Sequence, residues 1–499
     1  MRKCGLWLTA FLLLFLVVTN TFCPDAHAGP HRPKYEMRAV WLTTVYGLDW
    51  PTSSDEGHQK RELTQLLDRL QVAGINTVFL QVRGRGDLIY PSSVEPGNPL
   101  FARQGKFGYD PLAFAINECH KRGMAVHAWL VALPLGGRWY RRSLASTAYV
   151  KVWPRKVVEY KREAYMDPAN PATADHLRRI VSELLQKYAL DGIHLDYIRY
   201  PENTRSFPDR QAYLKAGTSL SLRDWRTQNI TAIVRTVHDE VKRQCPAVLF
   251  SCATLGTYQR HIAGHDQKGA WTALDDVCQN PVAWAKDSLV DFIVPMHYIR
   301  GRSFLPIIED WKSRVDLPIV IGLGAYRMLP GEGRWPVEEV LEQVALVQRD
   351  STLAGVSFFR ADQVANLALP LHRGLRDSLF VAPVLPRPIW CRADSTCSPP
   401  PPAPDILALE KTDKGLSVTW TSPSNEEPRL LYSVYCRNHG ADPDTDTGDN
   451  LIAVTTECQV VIPWERFEDE DLVSLSVGAY DIHTGQECIS PPVAYYRRP

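Results

Sequence analysis

Asp191-Gly-Ile-His-Leu-Asp-Tyr-Ile-Arg-Tyr-Pro201 reads as a buried strand that delivers a carboxylate, an arginine and two tyrosines at its carboxyl end. Asp-Gly opens the strand, Ile193 and Leu195 fill the sheet, and His194 and Asp196 share the opposite face under two-residue alternation. A carboxylate on so apolar a strand needs a reason. One is an ion pair, Asp196 with Arg199 or with a base on a neighbouring strand. The other is a catalytic acid or nucleophile of a carbohydrate-active enzyme.

The same alternation of strand-like and helix-like segments runs from residue 37 to about residue 379, the signature of a parallel α/β fold. Eight stretches rich in Val, Ile, Leu and aromatics are the strand candidates: 37–44, 76–82, 124–132, 192–199, 248–255, 291–298, 318–324 and 355–360. Amphipathic helices separate them. Leu63, Leu66, Leu67 and Leu70 recur at helical spacing, as do Leu177, Ile180, Val181, Leu184 and Leu185, and Val337, Val340, Leu341 and Val344. Eight such repeats predict a TIM (β/α)8 barrel over residues 29–380. A doubly wound open sheet is the competing α/β architecture, but the Gly-rich phosphate turn it carries after an early strand is missing. A proline-rich connector over 381–404 leads to short alternating segments over 405–499, which predict a small all-β sandwich resembling a fibronectin type III module, with Trp420 and Tyr480 as its core aromatics.

The beginning of the sequence predicts export. Arg2 and Lys3 precede an apolar run over residues 6–18, and Ala26-His-Ala28 supplies a small-x-small cleavage site, so residues 1–28 read as a signal peptide. The run is short for a spanning helix, and no later segment replaces it, so no transmembrane segment is expected in the mature chain. The location expected is the periplasm or cell envelope of a bacterium. Cys23 would be the lipidation site of a lipoprotein, although Phe22 before it suits such a site poorly.

The 499 residues hold 56 basic and 56 acidic side chains, a formal net charge of zero that argues against a nucleic-acid partner. Without Cys4 and Cys23 an odd set of cysteines remains, of which Cys391 and Cys397 lie closest for pairing, and Cys119 reads as a small packed hydrophobe. No C-x-x-C pair, no His-x-His on the first strand and no Gly-x-Ser-x-Gly elbow occurs, so neither metal nor cofactor nor serine nucleophile is expected.

Barrel chemistry is built from the loops after each strand. Read in order, the strand ends offer Trp41, Arg83, His127, Trp129, His194, Arg199, Tyr200, His297, Tyr298, Tyr326, Arg360 and Asp362 as substrate contacts. Aromatic faces stack on sugar rings, while Asp, Arg, His and Gln hold hydroxyls by directed hydrogen bonds. Glycoside hydrolysis uses two carboxyl groups, one charged and one kept protonated. Asp196 is the first candidate, and Asp87, Asp167, Asp362 and Asp49 compete for the second place. Asp167, just before a helix, also reads as an N-terminal cap. Between Arg138 and Arg162 lie eight basic residues and the single acid Glu159, interleaved with Trp139, Tyr140, Trp153 and Tyr160. That segment reads either as a solvated loop face or as a lid or subsite wall for an anionic polymer.

Met37-Arg-Ala-Val-Trp-Leu-Thr43, Asn76-Thr-Val-Phe-Leu-Gln-Val-Arg83, Val126-His-Ala-Trp129, Met166-Asp-Pro-Ala-Asn-Pro171, Asp191-Gly-Ile-His-Leu-Asp196, Asp291-Phe-Ile-Val-Pro-Met296 and Gly322-Leu-Gly-Ala-Tyr326 resemble, in order, the glycosyl-hydrolase-like 10 family of exported TIM-barrel proteins. The resemblance implies a glycoside hydrolase, and, because the family includes a divisome-associated enzyme that cleaves peptidoglycan strands, it implies a cell-wall glycan as partner. It also marks Asp196, whose strand looks like the nucleophile strand of α-amylase-type barrels. Two departures stand out: Asp196-Tyr197 where the family often has tandem acids, and Gln279-Asn280 where it has Gln-Asp. A non-catalytic carbohydrate-binding protein on a disabled barrel is the alternative.

Overall fold

The computed structural model describes residues 32–146, 148–262, 265–266, 271–386, 399–422, 430–438, 440–467 and 472–496. The expected signal peptide, the lipidation site at Cys23, the Cys391–Cys397 pair and the middle of the connector lie outside the described residues.

Eight parallel strands close into a barrel. They are β1 (Met37–Leu42), β2 (Thr77–Arg83), β3 (Ala125–Val131), β4 (Gly192–Asp196), β5 (Leu249–Leu255), β6 (Phe292–Met296), β7 (Val320–Leu323) and β8 (Gly355–Phe359). Each pairs with the next in sequence, and β8 returns to β1 with Met37 opposite Gly355. All eight expected strands are present. Each lies within a residue or a few of its expected bounds, because β-branched and aromatic runs between polar turns are strong strand signals.

Alternation along β4 sorts its side chains as period two requires. Ile193 and Leu195 pack outward with Leu177, Ile180 and Leu184 of helix α3 (Pro171–Lys187). The inward set includes Ala39, Trp41, Phe79, Trp129, Val131, Phe292 and Val294, so the lumen is a packed core. Each fully buried aliphatic or aromatic side chain contributes roughly 1.5–3 kcal/mol. The helices expected from leucine and valine spacing form: α1 (Glu56–Val72) is capped by the Asp55 carboxylate on the His58 amide, and α7 (Val337–Gln348) packs on the same outer layer, as do α2 (Pro111–His120), α4 (Leu222–Gln244), α5 (Pro281–Lys286) and α6 (Phe304–Arg314). Among the described residues, no helix is long and apolar enough to cross a membrane. Seven described cysteines, Cys119 among them, are free thiols.

The segment between β3 and α3 is no bare loop. Pro134–Gly137 continues from β3 and pairs antiparallel with Glu163–Met166, which pairs in turn with Val157–Tyr160. The basic segment is therefore an ordered wall beside the carboxyl end of the barrel.

The C-terminal region forms a three-stranded and a five-stranded antiparallel sheet around Leu416, Val418, Trp420, Val434 and Val477. It docks at the opposite end of the barrel from the mouth. Lys34 pairs with Glu487 at 2.6 Å, Thr456 donates to the Lys121 carbonyl, and Leu431, Tyr480 and Ile482 cluster with Ala125 and Leu385. Trp420 is a core aromatic as expected. Tyr480 is buried against the barrel instead, its hydroxyl donating to the Pro386 carbonyl.

Candidate active site

The mouth is built around Asp196, the last residue of β4, which is 5% exposed. Its Oδ2 accepts from Trp129 Nε1 at 3.2 Å and its Oδ1 from the Tyr197 amide at 2.6 Å. Burial raises its carboxyl above the ordinary range, and the charge of Arg199 only partly opposes this. A carboxyl so placed is poised to hold a proton. An Asp196–Arg199 ion pair, one of the two readings of this carboxylate, does not form as a contact; Arg199 pairs with Glu202 at 2.9 Å and lies over the Tyr197 ring at 4.7 Å.

One layer below, His194 stacks on Phe79 with ring centroids 4.3 Å apart. Trp41 can only donate, so its 3.1 Å bond from Nε1 makes His194 Nε2 an acceptor and puts the ring proton on Nδ1, which faces Ser251 Oγ at 2.9 Å. Burial, and then His127, hold His194 well below the usual imidazole range, so it is neutral. Trp41, Trp129 and His194 thus form the floor under Asp196.

An aromatic collar stands above that floor. Phe359 lies 5.5 Å from Tyr326 and 6.0 Å from Tyr298, and 6.5 Å from Trp129. Burial raises the Tyr298 phenol, and the first charge bearing on it is Asp196. Tyr197 itself is 40% exposed and adopts φ 49, a left-handed conformation costly for a tyrosine. The ionisable groups that bear on its hydroxyl are Asp196, Arg199, Arg85 and Glu202.

Arg85 joins the mouth to a neighbouring cavity of about 1210 Å3. It pairs with Glu163 at 3.1 Å and lies 5.9 Å over the Tyr46 ring, and Tyr46 meets Tyr140 edge-on at 5.5 Å. The Tyr140 hydroxyl donates to Asp87 Oδ2, whose other oxygen accepts from the Arg85 amide at 3.0 Å. Asp87 is wholly buried, and burial raises its carboxyl.

Several expected contacts lie elsewhere. Arg83 is fully enclosed in a fork with Glu95, both bonds 2.7 Å, and donates to the Val131 and Ala132 carbonyls, so it braces the end of β3 from behind. His127 is packed deeper in the lumen, edge-on to Phe79 and Phe292, where burial lowers it to about 4. His297 is buried with Nε2 on the Phe304 carbonyl, and Tyr200 is buried against Phe207 and Arg226. Asp167 is not the helix cap: Asn170 holds that place, and Asp167 closes a turn on the Ala169 amide. Arg360 and Asp362 stand on the β8 rim beside Asp49, whose buried carboxylate accepts from Thr43 and pairs with Arg360 at 3.3 Å.

Two residues outside the expected contacts line this region, Glu163 and Phe359. Glu163 sits just past the basic run, and only the tight hairpin reveals that it lines the cavity; Phe359 reads as one more core aromatic in a strand. Gln279 spans the Ala253 carbonyl and the Leu255 amide, and Asn280 caps α5, so both serve the backbone. Among the described residues no cluster of three His, Cys, Asp or Glu suits a metal ion.

A closed parallel barrel whose C-terminal mouth holds a buried carboxyl, raised by that burial, within an aromatic collar has the architecture of glycoside-hydrolase barrels. The chain belongs to the glycosyl hydrolase-like 10 family, whose model matches residues 36–326. It is 26% identical to glycosyl hydrolase YngK of Bacillus subtilis over 467 residues, 87% of this chain and 89% of that protein. It is 30% identical to glycosyl hydrolase DigH of Escherichia coli over 367 residues, 65% of this chain and 83% of that protein. Among solved structures it is similar to the catalytic domain of a Paenibacillus polymyxa β-amylase, with 11% identity, TM-score 0.48, and 71% of this chain and all of that one covered. The PgaB glycoside hydrolase domain of Bordetella bronchiseptica matches with 16% identity and TM-score 0.47 over 69% of this chain and 98% of that one.

Proposed function

We propose that the protein is an exported glycoside hydrolase that cleaves a polysaccharide, with peptidoglycan glycan strands as the substrate, by two-carboxylate catalysis. The observation that carries this reading is Asp196: a carboxyl raised by burial, at the mouth, beside Trp129, Tyr298 and Tyr197. Protonated, it is the general acid that gives its proton to the leaving glycosidic oxygen.

The second carboxylate in this scheme is Glu163. Asp87 is sealed under Tyr140, whereas the Glu163 side chain is 38% exposed on the cavity wall and paired with Arg85, whose charge also bears on Tyr197. It acts as base or nucleophile, and Asp87 positions Tyr140 and the Arg85 loop. Trp129 and the aromatic collar supply ring stacking. Family membership and relatives named as glycosyl hydrolases support the reaction class; the family resemblance and the basic wall support a cell-wall glycan. The test is a panel of peptidoglycan strands with and without stem peptides, and neutral and uronic-acid glycans, scored for new reducing ends. Release from the denuded strands is expected. Glycan binding with no reducing ends from any polymer would instead make the protein a carbohydrate-binding barrel.

A further inference from the structure

The cavity beside the mouth is lined by five cations, Arg138, Arg141, Arg142, Lys151 and Arg162, and two acids, Glu159 and Glu163. In a chain of zero formal net charge this excess is local. Both acids are already engaged: Glu159 is gripped through both oxygens by Arg141, and Glu163 pairs with Arg85. Lys151 is turned onto the Leu144 carbonyl. Among the described residues, Arg138, Arg142 and Arg162 face no carboxylate.

Two further features mark this wall as built for a ligand. Trp139 is 81% exposed, with the Arg142 guanidinium 5.0 Å from its ring centroid. A tryptophan left so far in water on an ordered wall forgoes its burial energy and offers a flat stacking surface. The hairpin turn is the second. Its two central residues, Lys161 and Arg162, have φ 47 and 71, the left-handed pair that a two-residue hairpin loop demands. Asn-Gly would adopt it freely; lysine and arginine do so only at a conformational cost. The wall keeps cations there against its own backbone preference.

Resting on the reading of the barrel as a polysaccharide hydrolase, the geometry points to an outer subsite for an acidic sugar unit. Its carboxylate docks on Arg138, Arg142 and Arg162, and its ring stacks on Trp139. Guanidinium groups bind carboxylates through paired charge-assisted bonds that a neutral sugar cannot replace. Because the subsite shares its cavity with Glu163 and meets the mouth through Arg85 and Tyr46, it selects a charged unit beside the one whose bond is cut.

The carboxylate can sit on a lactyl ether, as in muramic acid, or on the ring, as in a uronic acid. The experiment measures binding of the full-length Asp196→Asn chain, whose slowed turnover is expected to leave strands largely intact over a titration, to four probes by calorimetry. These are denuded peptidoglycan strands, the same strands with their carboxyls amidated, hyaluronan, and a chitin oligomer of matched length. Amidation is expected to weaken binding by about tenfold or more, and raised salt should weaken the native strands alone. The relative affinities of denuded strands and hyaluronan say which carboxylate fits. In a chain carrying Arg138→Gln, Arg142→Gln and Arg162→Gln, all exposed positions, the native and amidated strands should bind alike. Trp139→Ala should weaken every probe. Native and amidated strands bound equally by the parent chain, or a triple variant that loses both to the same degree, would overturn the subsite. Such a result with reducing-end release intact would leave the hydrolase reading standing. Charge-dependent binding with no release from any glycan would do the reverse.

Discussion

Glu95→Gln tests how the mouth is held up from behind. The Arg83 and Glu95 side chains are completely enclosed, joined by two 2.7 Å bonds, with His176 Nε2 a further 2.8 Å from the carboxylate. Burial alone would raise Glu95, but the Arg83 charge and the His176 hydrogen bond outweigh it and hold the group at about 2. A depression of about two units corresponds to about 3 kcal/mol of folding stability. Because the folded value lies below the unfolded one, that stability is present above the ordinary glutamate range and is lost as pH falls through about 2. The glutamine variant forfeits it at neutral pH and leaves the Arg83 guanidinium buried without a counter-charge. The expected loss is about 3–5 kcal/mol, read by equilibrium urea unfolding of both proteins. The gap should narrow as pH falls below about 4.5, where wild-type Glu95 begins to lose its own advantage. A variant within about 1 kcal/mol of wild type at neutral pH, or a loss indifferent to pH, would refute the reasoning.

Tyr140→Phe removes the hydroxyl donor from buried Asp87, so thermal stability should fall by about 1–3 kcal/mol; an unchanged melting temperature would show that Asp87 does not depend on Tyr140. Turnover should decline as pH rises through the raised Asp196 carboxyl, since the acid must carry its proton. That raised value also means that stability is lost as Asp196 ionises on the alkaline side, so Asp196→Asn should melt no lower than wild type at mildly alkaline pH. An alkaline limb that persists unchanged in a residually active Asp196→Asn protein would assign the titration to another group.

The barrel was legible in the sequence because each strand is an apolar run bounded by polar turns, and those signals are local. The lumen face of β4 was legible too, since period-two alternation puts His194 and Asp196 on one side whatever the tertiary context. What alternation could not convey was depth. His127 and His194 share the inward face of their strands with Asp196, yet only Asp196 reaches the mouth: His194 lies two residues earlier on the same strand, and the level of His127 is set by the register of β3 on β4, where it pairs with Gly192. Arg83 looked like a ligand because it ends a strand; its partner Glu95 lies twelve residues on and no periodicity links them. Glu163 became visible only through the hairpin that turns back at Lys161 and Arg162.

The most direct measurement compares Asp196→Asn with wild type on denuded peptidoglycan strands, scoring reducing ends, glycan affinity and melting temperature together. With Asp196 as the general acid, turnover should fall by about 10²–10⁴-fold while affinity and melting temperature stay near wild type. Undiminished turnover in the asparagine variant would contradict the central claim.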